Sequence, residues 1–462
     1  MSAGARMNMT EGPLFKKLLV YALPVLATGV LQFLYNSADT VIVGRFAENG
    51  ETALAAVGST GSLTALITGL FIGLAVGANV SLSHAFGSGR EESVRDIVHT
   101  SVSISFILGA IISVFGFIAA PFLLSLMGVP AEVLSYSVLY MRIIFIGMPA
   151  QMAYNYGAAV LNARGDTKHP FYFLLVSGAL NVCLNFIFVV FVGMDVDGVA
   201  LATIISQYLS AFLILRLLTR LEDSCKLEIR HLYIKKDKLA KIIRIGVPAG
   251  VQGCLFSVSN VLIQSSINSF GAATMAGNTA AANIDGLIYI AMNSFYHAAL
   301  AFTGQNAGAL KYGRIKRVCA MCSGMVLCFG IAIGAACYFL GPNLLSLFGI
   351  EGGMENESVR VGMLRLAIVG LPYCFCGLME VMSGTLRGLG ASFVSATVSL
   401  LGSCALRVIW IYTVFAEYRQ IDILYFSYPA TWVITTLAHF TCLVIIMKKR
   451  QKELAFYDLR GD

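Results

Sequence analysis

Pro121-Phe-Leu-Leu-Ser-Leu-Met-Gly128 returns in the second half of the chain as Pro342-Asn-Leu-Leu-Ser-Leu-Phe-Gly349. Further pairs keep nearly the same offset. Arg142-Ile-Ile-Phe-Ile-Gly147-Met-Pro149 returns as Arg365-Leu-Ala-Ile-Val-Gly370-Leu-Pro372, Gly89-Arg90 as Gly313-Arg314, and Ala179-Leu-Asn-Val as Ala405-Leu-Arg-Val. Pro24 and Pro248 each sit near the start of the first apolar run of their half. Self-similarity of this kind marks a duplicated unit and governs how every local pattern is read.

The repeated elements are membrane-spanning helices. Of 462 residues, 57% are hydrophobic and 12% are charged, about half the charged share of soluble globular chains. Mean hydropathy is +0.78. Such a chain cannot cover a soluble core with polar surface. Its 45 glycines suit close helix packing in lipid. Disorder, a disulfide scaffold and a nucleic-acid-binding enzyme are excluded at this level. Twelve apolar runs are long enough to span: 15–44, 52–84, 95–119, 132–161, 169–192, 198–219, 241–270, 276–306, 316–341, 356–387, 391–415 and 424–447. They are long and unbroken, whereas a barrel needs short alternating segments. The expected fold is an all-α polytopic membrane protein of twelve transmembrane helices. They form two six-helix lobes, 1–220 and 241–462, joined by a connection over 221–240. Each half has an even number of spans, so the halves run in the same direction about a pseudo-twofold axis along the membrane normal. A cavity between lobes and alternating access are the corresponding expectations.

Charge gives the orientation. The net charge is +7, and Lys and Arg collect on alternate connections. These carry Arg90 and Arg95, Arg164 and Lys168, Lys226 to Lys238, Lys311 to Arg317, and Lys448 to Arg450. The other connections carry Glu48, Glu51, Asp195, Asp197, Glu351, Glu355, Glu357, Glu417 and Asp422. The basic side is read as cytoplasmic, with both termini inside a plasma-membrane protein. The distribution is topological and is no nucleic-acid footprint. The 221–240 connection, basic with interspersed Leu and Ile, lies along the membrane surface or serves as a solvated linker. Met1 to Lys17 is polar and precedes too long an apolar run for a secretory leader. Most of the eleven cysteines lie within apolar runs and read as reduced core residues. Cys319-x-x-Cys322 lacks a second pair or a histidine set, so no zinc site is expected.

Three acids lie well inside apolar runs: Asp39, Asp285 and Glu380. An acid at a helix centre in lipid costs about 2.5–3.5 kcal/mol even on mild scales, so it needs a polar partner or a wet cavity. Gln32, Asn36 and Asp39 share one face of the first run, Ser177, Asn181 and Asn185 one face of the fifth, and Thr203 and Gln207 one face of the sixth. With Asp39 these neutral oxygens make a candidate site for Na⁺ or a proton relay; the alternative is interhelical hydrogen bonding. Asp285, Tyr289, Asn293 and Tyr296 keep helical spacing on the eighth run, and Glu380, Ser383 and Arg387 on the tenth. Acids with aromatics suit a lipophilic cation. The alternative is that Glu380 or Asp285 neutralises Arg407 or Arg365. No nucleotide-binding G-x-x-x-x-G-K-[ST] loop, H-E-x-x-H or G-x-S-x-G is present, and the six histidines are scattered. An enzyme is not expected, no cofactor is implied, and energy for any active transport has to come from an ion gradient or a partner.

Four stretches resemble the multidrug and toxic compound extrusion (MATE) transporters across nearly the whole chain. They are Leu34-Tyr-Asn-Ser-Ala-Asp39-Thr-Val-Ile-Val-Gly44, Leu161-Asn-Ala-Arg-Gly165-Asp166-Thr-Lys, Phe302-Thr-Gly-Gln305-Asn306-Ala-Gly308-Ala and Leu386-Arg-Gly-Leu-Gly390. The resemblance implies antiport of drug-like organic cations against H⁺ or Na⁺. It assigns the coupling ion to Asp39, Asn181 and Thr203 and the cavity glutamine to Gln32; the reading of the residues adds Asn185 to the ion site and Asn36, Asn155, Asp285, Tyr289, Asn293 and Glu380 to the substrate site. A second family carboxylate one turn after Asn181 is here Asn185. Phe256 and Cys376 replace acids of the NorM branch, with Glu380 one turn beyond Cys376. The chain is thus closer to the branch that includes DinF and MepA. A strong Na⁺ site is weakened and a proton mechanism at Asp39 gains. A monomer suffices for such a cavity. A lipid-linked precursor flippase of the same superfamily, using Arg142, Arg365 and Arg407, stays open as the alternative reading. A polytopic enzyme and a passive channel are disfavoured.

Overall fold

In a bilayer every backbone amide must be bonded within the protein, so the apolar runs fold as helices. The computed structural model describes residues 7–47 and 50–460, without the side chains of 50–51 and 455–460. Glu48 and the Glu51 side chain, two of the acidic markers, lie outside the described residues. The helices are α1 (Leu14–Phe46), α2 (Gly50–Gly87), α3 (Glu91–Leu126), α4 (Ala131–Ile146), α5 (Met148–Arg164), α6 (Lys168–Phe191), α7 (Val196–Arg220) and α8 (Lys236–Asn268). They continue with α9 (Ala272–Gly308), α10 (Tyr312–Phe339), α11 (Gly341–Ser346), α12 (Glu357–Gly370), α13 (Tyr373–Gly388), α14 (Ser392–Tyr418) and α15 (Ile421–Arg460). No strand occurs among the described residues.

Among the described residues nine helices are long and apolar enough to cross a membrane, eleven when each of two bent pairs is one span, and α9 completes the twelve that the sequence predicts. Two of them are broken at equivalent places of the repeat: α4 and α5 meet at 47°, and α12 and α13 at 41°. The cause is the shared Gly-x-Pro. Pro149 and Pro372 withhold an amide from the preceding turn, and the helix restarts around them. α9 is the least apolar span. Its 37 residues reach about 55 Å at ~1.5 Å per residue, and its polar side chains are largely turned to partners inside its own unit. Outward, Ile111, Val114, Phe115, Ile118 and Phe122 of α3 are all more than half exposed. An apolar stripe of that size is tolerated only against lipid.

Packing divides the chain into two compact units. One holds Ala27–Gly250; the other holds Met9–Leu26 and the chain from Val251 onward. In the first unit, α2 and α8 cross through two glycine pairs, Gly73/Gly77 and Gly246/Gly250. A Cβ added to Gly73 would overlap the Gly250 backbone, and one added to Gly77 the Ile242 carbonyl. Small residues four apart on both helices allow this approach. α1 lies against α6 by another small residue. The Tyr35 ring covers Gly178, and its hydroxyl donates to the Leu175 carbonyl at 3.3 Å.

Three basic connections meet at one end of this unit. Arg95 pairs with Glu228 at 3.4 Å, Arg164 donates to Asp223 at 2.8 Å, and Lys235 pairs with Asp96 at 3.0 Å. Leu221, Cys225 and Leu227 are buried, and Tyr233 stacks on His99 while donating to Asp96 at 2.8 Å. The 221–235 segment is therefore packed onto the unit and is not a bare solvated linker. Gly165, at φ +91°, ends α5 and turns Asp166 back toward the next helix. Asp166 pairs with His169 Nδ1 at 2.6 Å and accepts the His169 amide at 3.3 Å. Burial works to raise the Asp166 carboxyl, but His169, with Arg164 behind it, outweighs this and holds it below its ordinary 3.8.

In the second unit the start of α1 is clamped by the Phe302–Asn306 stretch and by Arg314. Asn306 Nδ2 donates to the Met9 carbonyl at 3.2 Å, and Gln305 Oε1 accepts the Met9 amide at 3.2 Å. Arg314 donates to the Glu11 and Gly12 carbonyls, each at 2.8 Å. Tyr21 meets Phe302 edge-on at 5.7 Å.

Two outcomes are expected. Asp166→Asn lowers stability at pH 7 by about 2 kcal/mol, the scale of a hydrogen bond to a charged group. Because the folded carboxyl titrates below its unfolded value, that stability exists above about pH 4 and is lost as pH falls through the folded value. Melting curves of mutant and wild type in detergent should therefore converge in acid. Gly178→Ala overpacks α1 against α6 and costs roughly 1–3 kcal/mol. Adding Tyr35→Ala should restore most of the melting temperature; no recovery in the double variant would refute the contact.

Candidate functional site

α6 is α-helical to Asn185 and then widens into a π turn over Phe186–Phe191. Such turns sit frequently at functional positions, because they shift the register of the helix beyond them. Asn181 and Asn185, one turn apart, precede this change and face α1 and α7. Asn185 is fully buried, and its Nδ2 lies 2.5 Å from Asp39 Oδ1 and 3.4 Å from Asn181 Oδ1. Thr203 Oγ1 lies 2.9 Å from the Val199 carbonyl and 3.4 Å from Asp39 Oδ2, with one proton for either. Asn181 Nδ2 donates to Thr203 Oγ1 at 3.4 Å. The four residues singled out for the coupling ion thus form one closed hydrogen-bonded ring.

Two features give this ring chemical interest. Among the described residues no lysine, arginine or histidine pairs with Asp39, so its charge is balanced only by neutral donors. Asn185 Oδ1 is buried with no hydrogen-bond partner among the described residues. An orphaned buried carbonyl costs about 1–3 kcal/mol and is retained where something can bind to it. Around the ring Ile42, Val43, Val189, Val196 and Val199 form an apolar shell with Tyr136, Tyr140 and Val182. A carboxylate, two amide oxygens and a hydroxyl in such a shell can hold a small hard cation or a proton. Ser177, on the same face, bonds only to its own helix at Leu174. Gln207 sits at the α4–α5 bend, where its Oε1 occupies the space a Cβ on Gly147 would need.

The predicted substrate residues are more dispersed. Gln32 and Asn36 are exposed on α1, and Asn155 is half-buried on α5. No hydrogen bond among the described residues joins them to Asp39 or to each other. In the second unit Asp285 is buried in an ion pair with Arg365 at 2.8 Å. Arg365 also donates to Asn278 at 2.8 Å, which accepts from Tyr425 at 3.0 Å, and its guanidinium lies over the Tyr425 and Tyr428 rings. The neutralising alternative therefore holds for Asp285. Glu380 is half-buried, with no salt bridge or hydrogen bond to Arg365 or Arg407 among the described residues, and the cation whose charge it feels is Arg387 of its own helix. Asn293 donates to the Tyr289 hydroxyl at 3.3 Å. Arg387 donates to Tyr296 at 2.6 Å and Gln252 at 2.7 Å. Arg407 donates to Thr431 at 3.0 Å and lies 4.4 Å above the Tyr428 ring.

Asn278 and Gln252 were missed in the sequence. Asn278 stands two turns before Asp285 on the same face of α9, a spacing that could have flagged it. Gln252 carries no such signal. The arginines named for a pyrophosphate site are all engaged: Arg365 by Asp285, Arg407 by Thr431 and an aromatic face, and Arg142 by the Phe117 carbonyl and ring.

The MatE family model matches residues 24–187 and 248–413, the two halves of the duplication. The probable multidrug resistance protein YoeA of Bacillus subtilis is 28% identical over 447 residues, covering 95% of both chains. The multidrug export protein MepA of Staphylococcus saprophyticus is 20% identical, covering 83% of this chain and 85% of its own. Among solved structures, an outward-facing multidrug resistance MATE transporter of the MOP superfamily superposes with a TM-score of 0.89. It is 20% identical and covers 98% of this chain and 100% of its own. With the four sequence stretches, the twelve-span duplication and a family match over both halves, the chain belongs to the MatE family of membrane transporters.

Proposed function

We propose that the protein is a secondary-active multidrug exporter, antiporting lipophilic organic cations against H⁺ or Na⁺ by alternating access. The observation that carries this reading is Asp39, a membrane-embedded carboxylate held by Asn185 and Thr203 with no cationic partner among the described residues. A permanent counter-charge would fix its state. Neutral donors leave it free to exchange a proton or Na⁺, and the orphaned Asn185 carbonyl supplies a further ligand. The named relatives are multidrug resistance and export proteins, which supports drug-like molecules as the cargo.

In this mechanism Asp39 is charged and ion-free when the substrate is held, and binding of the coupling ion changes the hydrogen-bonded ring. α1 carries Asp39 and also contains Pro24, whose missing amide leaves a soft point in an otherwise continuous helix. The change at Asp39 is passed along α1, and the substrate is released outward. Glu380, Tyr289 and Asn293 attract the cationic substrate, with Gln32, Asn36 and Asn155 as polar contacts, while Asp285 serves mainly to hold Arg365. The protein works as a monomer in the plasma membrane, with both termini cytoplasmic and no cofactor. In support of this orientation, each unit gathers basic connections at one end, and in the second unit that end also holds the start of α1 and the Gln451 region of α15.

The test uses purified protein in liposomes, loaded with a fluorescent organic cation, under a Na⁺ gradient or a pH gradient imposed separately. Efflux should track one of the two gradients and fall to the protein-free rate in Asp39→Asn. Coupled efflux persisting in that variant would overturn the mechanism. Thr203→Val removes one neutral oxygen, worth about 0.5–1.5 kcal/mol, and should raise the half-saturating coupling-ion concentration roughly two- to tenfold. Glu380→Gln should weaken cationic substrates while sparing neutral ones; an equal loss for both would remove Glu380 from substrate recognition.

A further inference from the structure

The second unit contains a crevice of about 410 Å³ that the transport reading does not use. It lies between the first turns of α10, the end of α13 and the last apolar turns of α15. Its floor is apolar: Cys319 and Met382, whose sulfurs are 3.6 Å apart, with Leu443 and Met447, all buried. At one end stand Lys316 and Lys448. Both are exposed, and neither is ion-paired among the described residues; Lys316 has only Gln451 Oε1 at 3.4 Å. Among the described residues no carboxylate lines the crevice.

The position of this crevice on the helices defines what can fill it. Along α15 it runs from Phe440 to Gln451, about 16 Å of helix. Its apolar end adjoins Leu437, Phe440 and Ile445, each more than half exposed on a helix that crosses the membrane. It therefore opens sideways onto hydrocarbon. Its charged end coincides with the point where α15 leaves the apolar run at Lys448-Lys449-Arg450. An occupant must be apolar over most of its length and anionic at the tip, with that tip at the depth of the lipid headgroups. Basic residues at helix ends on one leaflet attract anionic headgroups in this way.

We propose that this crevice is a binding site for one anionic phospholipid, with an acyl chain lying along Cys319, Met382, Leu443 and Met447 and the phosphate between Lys316 and Lys448. The site is separate from Asp39 and does not depend on which ion drives transport. Its occupant bridges α10 and α15 and stiffens the second unit.

The test is native mass spectrometry and thermal melting of the full-length protein in detergent, titrated with phosphatidylglycerol or phosphatidylcholine. Wild type should retain one phosphatidylglycerol per chain and melt higher with it than with phosphatidylcholine. Lys316→Gln/Lys448→Gln should weaken phosphatidylglycerol roughly thirtyfold, at about one kcal/mol per lysine, and erase the preference. Both side chains are exposed, so folding should be unaffected, as melting without lipid checks. Ala320→Phe fills the exposed rim with the lysines intact and should reduce binding of both lipids. Equal binding of the two lipids by wild type would overturn the proposal, as would a preference surviving the double lysine variant. Stabilisation by glycerol phosphate equal to that by phosphatidylglycerol would assign the lysines to a free phosphate and overturn it as well.

Discussion

A carboxylate placed in an apolar bundle without a counter-ion is the constraint around which the first unit is organised. Asp39 is half-buried beside an apolar shell, and leaving it without polar partners there would cost several kcal/mol. Asn185 and Thr203 supply what bulk water would, and Asn181 orients both. These three residues come from α6 and α7, so α1 has to be held close to α6. That is the task of Tyr35 lying flat over Gly178, one turn from Asp39. The compensation is incomplete, because the Asn185 carbonyl oxygen has no partner among the described residues.

The duplicated half meets the same problem with a different solution. Where α6 has Asn181, the matching stretch of α14 has Arg407, and the acid of α9, Asp285, is closed into an ion pair with Arg365. A buried pair of this type stabilises little by itself but is hard to break from one side. The two units therefore differ in kind: one holds its acid with neutral donors, and the other has committed its acid to holding an arginine among tyrosines.

Much of this was legible in the sequence because membrane helices obey strong rules. Apolar runs gave the spans, the offset repeats gave the six-plus-six order, and spacings of three and four put Asn181 and Asn185 on one face and Thr203 and Gln207 on another; that these faces meet at Asp39 was what the family resemblance implied. What could not be read were choices among partners. Asp285 could have met Arg365 or a substrate, and only the packing of α9 on α12 decides it, with Asn278 and Tyr425 completing the shell. The breaks at Gly147 and Pro372 were also hidden, because apolar character continues across them and only the geometry changes. Two of the stretches that carry the family likeness prove to be structural here: Arg164-Gly165-Asp166 ties the 221–235 segment and α6 together, and Gln305-Asn306 grips Met9.

That last grip has a consequence for how the protein is made. Met9 is synthesised some three hundred residues before Phe302, Gln305, Asn306 and Arg314, which hold the start of α1. At about 5–20 residues per second the delay is roughly 15–60 s. Through that interval the first half of α1 is in the bilayer without its own partners. The first unit is likewise incomplete until Gly246 and Gly250 emerge to meet Gly73 and Gly77. Biogenesis of the protein thus contains an interval in which one half-helix is undocked, and insertion machinery or lipid has to shelter it until Arg314 is made.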